Sequence, residues 1–144
     1  MKILLGTIGL LLGLGVVALA VQATRTAREE KKVEQRVFEL RTYYAAPGKM
    51  KALHARFRDH TNKVFAKHGM TIIGFWSPID EKQAEEKLIY ILAFPSKEAA
   101  DKSWQAFRDD PEWKAAKEAS EQDGKLVDKV ESVYLNPTDY SPLK

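Results

Sequence analysis

Lys87–Phe94, KLIYILAF, is the stretch on which the fold turns. In an extended chain Leu88, Tyr90, Leu92 and Phe94 fall on one side and Ile89, Ile91 and Ala93 on the other, so both faces are apolar. A strand of that kind is buried from both sides. Just upstream, Met70–Ile79 is rich in Ile, Phe and Trp and reads as another strand, with the charged Asp80–Glu86 as the turn of a hairpin. Further out, Arg36–Tyr44 alternates and gives a first strand. Between them Lys49–His68 repeats Met50, Leu53, Phe57, Thr61, Val64 and Phe65 at helical spacing, and Gly69 follows as a stop.

Downstream, Ser96 is placed to cap a second helix carrying Ala99, Ala100, Trp104 and Phe107 on one side. Pro111 interrupts it, and Asp110 is placed to cap a further helical run to about Glu121. Asp123-Gly124 is a turn and Lys125–Leu135 a last strand. The order β-α-β-β-α-β defines an α+β, ferredoxin-like sandwich, an antiparallel sheet with helices on one face. Two helices cover only that face. A second copy of the same sheet is the simplest cover for the other, so the expectation is a homodimer, a dimeric α/β barrel whose sheets face each other around a shared interior.

Composition excludes several classes of chemistry. The 144 residues contain no cysteine, which removes disulfides, thiolate metal sites and cysteine nucleophiles together. The net charge is +3, but Lys2, Arg25, Arg28, Lys31 and Lys32 precede the folded part, and beyond Lys32 basic and acidic residues balance. With no basic stripe interleaved with aromatics, no nucleic-acid partner is expected.

Met1-Lys2 leads into Ile3–Val21, a run of 19 residues without a charge. It reads as a signal-peptide core or as an N-terminal transmembrane helix. Ala18, Ala20 and Ala23 offer small residues for a signal peptidase, whereas the length and Gly9-x-x-x-Gly13 suit retention as an anchor. The organisation expected is 1–23 signal peptide or membrane anchor, 24–35 linker, 36–140 folded domain and 141–144 tail. The domain is then periplasmic or extracellular, soluble after cleavage or tied to a membrane through residues 3–21.

Candidate site residues start on the first strand, where Glu39, Arg41 and Tyr43 share a face. If Phe38, Leu40 and Tyr44 pack on the helices, those three point into the dimer interior. A buried charge needs a partner, so Glu39 and Arg41 are expected to pair, leaving Arg41 and Tyr43 to hydrogen-bond a ligand. Trp76 and Tyr90 would supply apolar walls. A plainer reading of the same residues is an interior ion pair that fixes strand register.

His54, His60 and His68 plot within about 60° of the centre of the first helix's apolar face at 100° per residue. His68 suits the helix end. His54 and His60 lack the i, i+4 spacing of a metal pair, so no metal is expected and no cofactor is predicted, with haem as the alternative. Trp104, Phe107 and Trp113 read as core. No phosphate loop or nucleophile elbow occurs in the folded part, and no catalytic residue is assigned.

The segments FELRTYYAAPGKMKALHARFRDHT, HGMTIIGFWSP, LIYILAFPS, WQAFRDDPEWKAA and VESVYL resemble, in order and spacing, the NIPSNAP family from about Val37 to Tyr140. That family resembles a branch of the dimeric α/β-barrel superfamily, whose other branches include small monooxygenases, haem-degrading enzymes and stress-responsive proteins. The resemblance implies the fold and the dimer and names no reaction. The expectation for function is therefore an exported or membrane-tethered dimeric module that binds a small apolar ligand or a partner. The alternative is a small monooxygenase or haem-handling enzyme using the same interior.

Overall fold

The computed structural model describes residues 36–144. The hydrophobic run 3–21 and the linker 24–35 lie outside them. Strands β1 (Val37–Ala45), β2 (Thr71–Trp76), β3 (Lys87–Phe94) and β4 (Val127–Leu135) form one antiparallel sheet in the order β2-β3-β1-β4. The central strands are β3, which is apolar on both faces, and β1, which pairs on both sides.

The first helical segment is α1 (Met50–Arg56), a π turn (Phe57–Thr61) and α2 (Asn62–Lys67), continuous through helical backbone. The sequence predicts one regular helix here. Instead the Asn62 N–H reaches back to the Phe57 carbonyl, while the Thr61 hydroxyl donates to the Arg56 carbonyl at 3.2 Å. The wider turn holds Phe57 and Thr61 in the interior and leaves Arg58, Asp59 and His60 in solvent. Gly69 (φ 71°) ends the segment, with its N–H on the Ala66 carbonyl and that of Met70 on the Phe65 carbonyl, a left-handed stop that glycine adopts without strain.

Two expectations between β2 and β3 need correction. The second strand ends at Trp76 and not at Ile79, because Pro78 has no N–H for the ladder, and Ile79 is fully exposed. Asp80–Glu86 is not a plain turn. The Asp80 carboxylate accepts from the Gln83 N–H at 3.0 Å and caps a short exposed helix, α3 (Glu81–Glu86). The last strand also starts at Val127, two residues later than expected, because Leu126 is buried and its carbonyl takes the Ala46 N–H.

Helices α4 (Lys97–Asp109) and α5 (Pro111–Ser120) begin where the sequence places them, capped by Ser96 and Asp110. The core lies between sheet and helices, with Leu53, Phe65, Tyr90, Leu92, Phe94 and Phe107 all nearly inaccessible. Asp110 ties two helix ends together: its carboxylate accepts from the Glu112 and Trp113 N–H groups and meets Lys67 at 2.9 Å and His68 Nε2 at 2.7 Å. Lys67, His68 and the two backbone donors hold this carboxyl far below the ordinary aspartate value of 3.8.

A carboxylate lowered in the folded state gives stability that is complete above its unfolded value and is lost as pH falls through the folded one. Asn at the same position retains the cap but not the charge. In urea melts of the full chain, Asp110→Asn should therefore be less stable than wild type at about pH 7. The gap should narrow as pH drops below 3.8. A gap that stays constant through acid pH would show that the Asp110 charge does not hold the two helix ends.

Candidate functional site

The sheet register decides which way the predicted site faces. Glu39 lies opposite Leu92 and Tyr134, Arg41 opposite Tyr90 and Ser132, and Tyr43 opposite Leu88. Leu88, Tyr90 and Leu92 are the buried, helix-facing residues of β3, so Glu39, Arg41 and Tyr43 also face the helices. This inverts the expectation that they point away from the helices into a dimer interior. Alternation is correct in the sequence reading and the face is not, because Leu40, Thr42 and Tyr44 are as compatible with packing on helices as their neighbours are.

Glu39 is only 1% exposed and fully hydrogen-bonded. Arg41 Nη1 donates to Oε1 at 2.6 Å, the Ser132 hydroxyl to the same oxygen at 2.6 Å, and Trp104 Nε1 to Oε2 at 2.6 Å. The Arg41 guanidinium also lies over the Trp104 ring, 4.2 Å from its centroid, so one indole donates to the acid and stacks on the base. Burial alone would lower the Arg41 pKa; Tyr90, Tyr43 and Glu39 outweigh it and raise it above the ordinary arginine value. Burial, followed by Tyr43, pushes the Tyr90 hydroxyl well up.

Above this ion pair opens a cleft of about 640 Å³, walled by Trp104, Phe107, Trp113 and Tyr134. Lys97 and Arg108 stand at its mouth, both exposed, with Lys97 paired to Asp101 and set 4.4 Å over the Tyr134 ring. Burial, and then Glu39, raise the Tyr134 hydroxyl. Of these residues the sequence reading names only Glu39, Arg41 and Tyr43 as site residues and treats Trp104, Phe107 and Trp113 as packing alone. A usable signal exists: a buried carboxylate with one arginine still has a second oxygen to satisfy, and the second helix carries a single indole donor among its buried residues.

The other predicted site residues lie elsewhere. Tyr90 shares the helix face, its ring packed among Tyr43, Phe57, Phe65 and Phe75. Trp76 does not wall the same pocket. It pairs with Ile89 on the opposite face, 48% exposed, its ring folded so closely over Gly74 that a Cβ there would lie 2.8 Å from it. His54, half-buried, lines grooves beside Arg58 and Ser77, and exposed His60 lines a separate one beside Glu112 and Ala116. The π turn rotates His60 out of the apolar face on which a regular helix places it. Among the described residues no group of three or more His, Asp and Glu side chains converges as a metal site would need.

An antiparallel 4-1-3-2 sheet, helices on one face and an ion pair under an aromatic cleft define a ferredoxin-like α+β domain with one candidate ligand site. The NIPSNAP family model matches residues 38–142, and the chain belongs to the NIPSNAP family. Solved structures agree on the fold. A NIPSNAP family protein of unknown function from Agrobacterium tumefaciens is 20% identical, with 78% of this chain and 96% of that chain covered and a TM-score of 0.66. A second Agrobacterium tumefaciens NIPSNAP family protein is 22% identical over 76% and 99%, at a TM-score of 0.66. An uncharacterized NIPSNAP domain protein from Burkholderia xenovorans is 19% identical over 74% and 98%, at 0.62. No curated protein matches the chain.

Removing Arg41 strips the buried Glu39 of its counter-charge, and the side chains are 16% and 1% exposed. Arg41→Ala should therefore cost roughly 2–4 kcal/mol in urea or thermal melts. The double variant Glu39→Gln with Arg41→Met, which leaves no charge behind, should lose less. An Arg41→Ala protein that melts like wild type would mean that the pair is solvated.

Proposed function

We propose that this chain is a homodimeric small-molecule-binding module held outside the cytoplasm, and that each copy carries its own cleft between sheet and helices. The observation that carries the reading is an open cleft in which aromatic walls alternate with polar and charged side chains above a buried, hydrogen-bonded charge pair, a composition suited to a small molecule with an apolar body and a polar end. A purely structural ion pair would not need about 640 Å³ of open space above it.

Assembly is supported by the side of the sheet away from the helices, where Phe38 and Ala93 are buried at one end and apolar side chains reach solvent beyond them. Leu40, Ile89 and Ile91 lie there half-buried beside Val133 at 52% and Leu135 at 40% exposure, with Trp76 at the edge. At one end the apolar surface gives way to the Tyr44, Lys129 and Glu131 cluster, a polar border on that side. A two-fold copy of the same face is the occupant that such a patch fits, since it offers apolar area to apolar area with no central charge to bury. Placement is supported by the uncharged run Ile3–Val21, which is too apolar to leave in water.

The three tryptophans make the cleft reading testable. With Trp76→Phe, both remaining indoles line the cleft. A panel of small aromatic and alicyclic acids, amides and alcohols should include compounds that change its fluorescence saturably at one per chain and raise its melting temperature. No such compound in the panel would defeat the reading, and a Soret shift with added haem that His60→Ala abolishes would replace it with the haem-handling alternative.

Assembly and placement have their own measurements. Because the chain has no cysteine, a spin label on Val133→Cys reports only that face. Dipolar spectroscopy should give one short inter-chain distance, and its absence at tens of micromolar protein would remove the dimer. Intact mass of protein expressed from the full gene should show either a start at Val21 or Thr24, or an intact Met1 recovered only in detergent. An intact, freely soluble chain would contradict both forms of export.

A further inference from the structure

The π turn in the first helical segment re-aims one of its faces. In a regular helix, at about 100° per residue, Arg58 stands about 40° and Asn62 about 80° round from His54, so the three fan apart. Between Phe57 and Thr61 the backbone winds less per residue, and His54, Arg58 and Asn62 line one groove together. Turns of this kind are rare and recur at functional sites. The facing wall is β2 and the chain leaving it, with Phe75 and the exposed Ser77. The groove holds about 350 Å³ and shares no lining residue with the cleft over Glu39.

This groove presents donors without an acid. No carboxylate lines it, and neither Arg58 nor His54 has an ion pair or hydrogen bond among the described residues. In the adjoining groove, which shares His54, Arg58 and Ser77, the one carboxylate, Glu85, is matched by Lys51. Arg58 is exposed, so its guanidinium is open to a solute. Asn62 turns its Oδ1 inward, closed off from solvent and without a partner, while its NH2 group is neither closed off nor hydrogen-bonded. A leucine of similar size would remove that buried, unpaired oxygen, so the amide costs stability where it stands. Beside these donors Phe57 and Phe75 meet edge to face, 5.6 Å between centroids, and give an apolar wall.

Unmatched positive charge, neutral donors and an aromatic wall select the ligand. A neutral ring would leave Arg58 unanswered, a cation would meet like charge, and an anion without a ring would leave Phe75 wet. We propose that this groove is a second binding site, for a small aromatic oxyanion. The charged group meets Arg58, His54 and the Asn62 amide, and the ring lies against Phe75. This site does not rest on the reading of the cleft.

Phenylphosphonate and benzoate are the probes, with benzamide as the neutral control, titrated into the isotope-labelled full chain and followed by amide NMR. Either anion should move the Ser77 N–H and the Asn62 side-chain NH2 signals saturably, while the Trp104 and Trp113 indole N–H signals report the cleft separately. Read from the groove signals, the better anion should bind at least about tenfold more tightly than benzamide, and its identity tells a three-oxygen head from a two-oxygen one. Arg58→Gln, at an exposed position, should weaken both anions at least about fivefold and change benzamide less than about twofold. Asn62→Leu should melt no lower than wild type yet weaken the anions about three- to tenfold, a loss that a merely structural amide would not show. Anions that bind no better than benzamide, that shift only the cleft indoles, or that are indifferent to Arg58→Gln would overturn the site without defeating the cleft reading. So would the absence of any saturable shift at Ser77 and Asn62.

Discussion

The carboxylate of Glu39 is the constraint to which the rest of this domain is fitted. A charge nearly removed from water, near the start of a central strand, is tolerated only if both oxygens are satisfied from fixed positions. Three elements provide for it: β1 itself through Arg41, β4 through Ser132, and α4 through Trp104. The indole can reach only if α4 lies close over β1, and its position is fixed in turn by the Ser96 cap and by Phe107 packing on Phe65 and Trp113. One acid thereby couples strand register to helix placement, an ordering that a wholly apolar core would not impose.

The second helix and the break after it serve the same end. Asp110 ends α4, starts α5 and holds Lys67 and His68, so the chain turns where α2 finishes. Arg56, buried in α1, reaches Glu121 at 2.8 Å and lies over Trp113, tying the far end of α5 to the first helix. Between these two clamps Trp113 is held as a wall of the cleft. The cleft is therefore a consequence of how two helices are anchored, with its polar floor supplied by the sheet.

Much of this is legible in the sequence, and what is not has identifiable physical causes. Element order, the helix caps at Ser96 and Asp110, and the Glu39–Arg41 pair follow from alternation, cap chemistry and the need of a buried charge for a partner. The face of β1 does not, since period-two alternation separates two sets of residues without saying which set meets the helices. That choice is made by long-range partners: Trp104 lies 65 positions from Glu39 and Ser132 lies 93. The π turn is likewise invisible to a plot at 100° per residue, and with it went the placement of His60. Asp80–Glu86 reads as a turn because it is charged all round, yet a single cap at Asp80 suffices for a short helix.

The inversion of β1 changes what the two faces of the sheet are for. Had Glu39, Arg41 and Tyr43 lain on the open side, ligand and partner copy would have shared one interior, and neither role could exist without the other. With the polar residues under α4 and Leu40, Ile89, Ile91 and Val133 on the other side, the cleft is lined from one chain alone. The other face carries apolar side chains, among which Val133 and Leu135 are exposed. The two proposed roles would meet only along the backbones of β1 and β3, whose alternate residues serve opposite sides. A strand apolar on both faces, the feature from which the fold was read, is what such a division requires: Leu88, Tyr90 and Leu92 support the cleft, and Ile89 and Ile91 supply the surface that a second copy would cover.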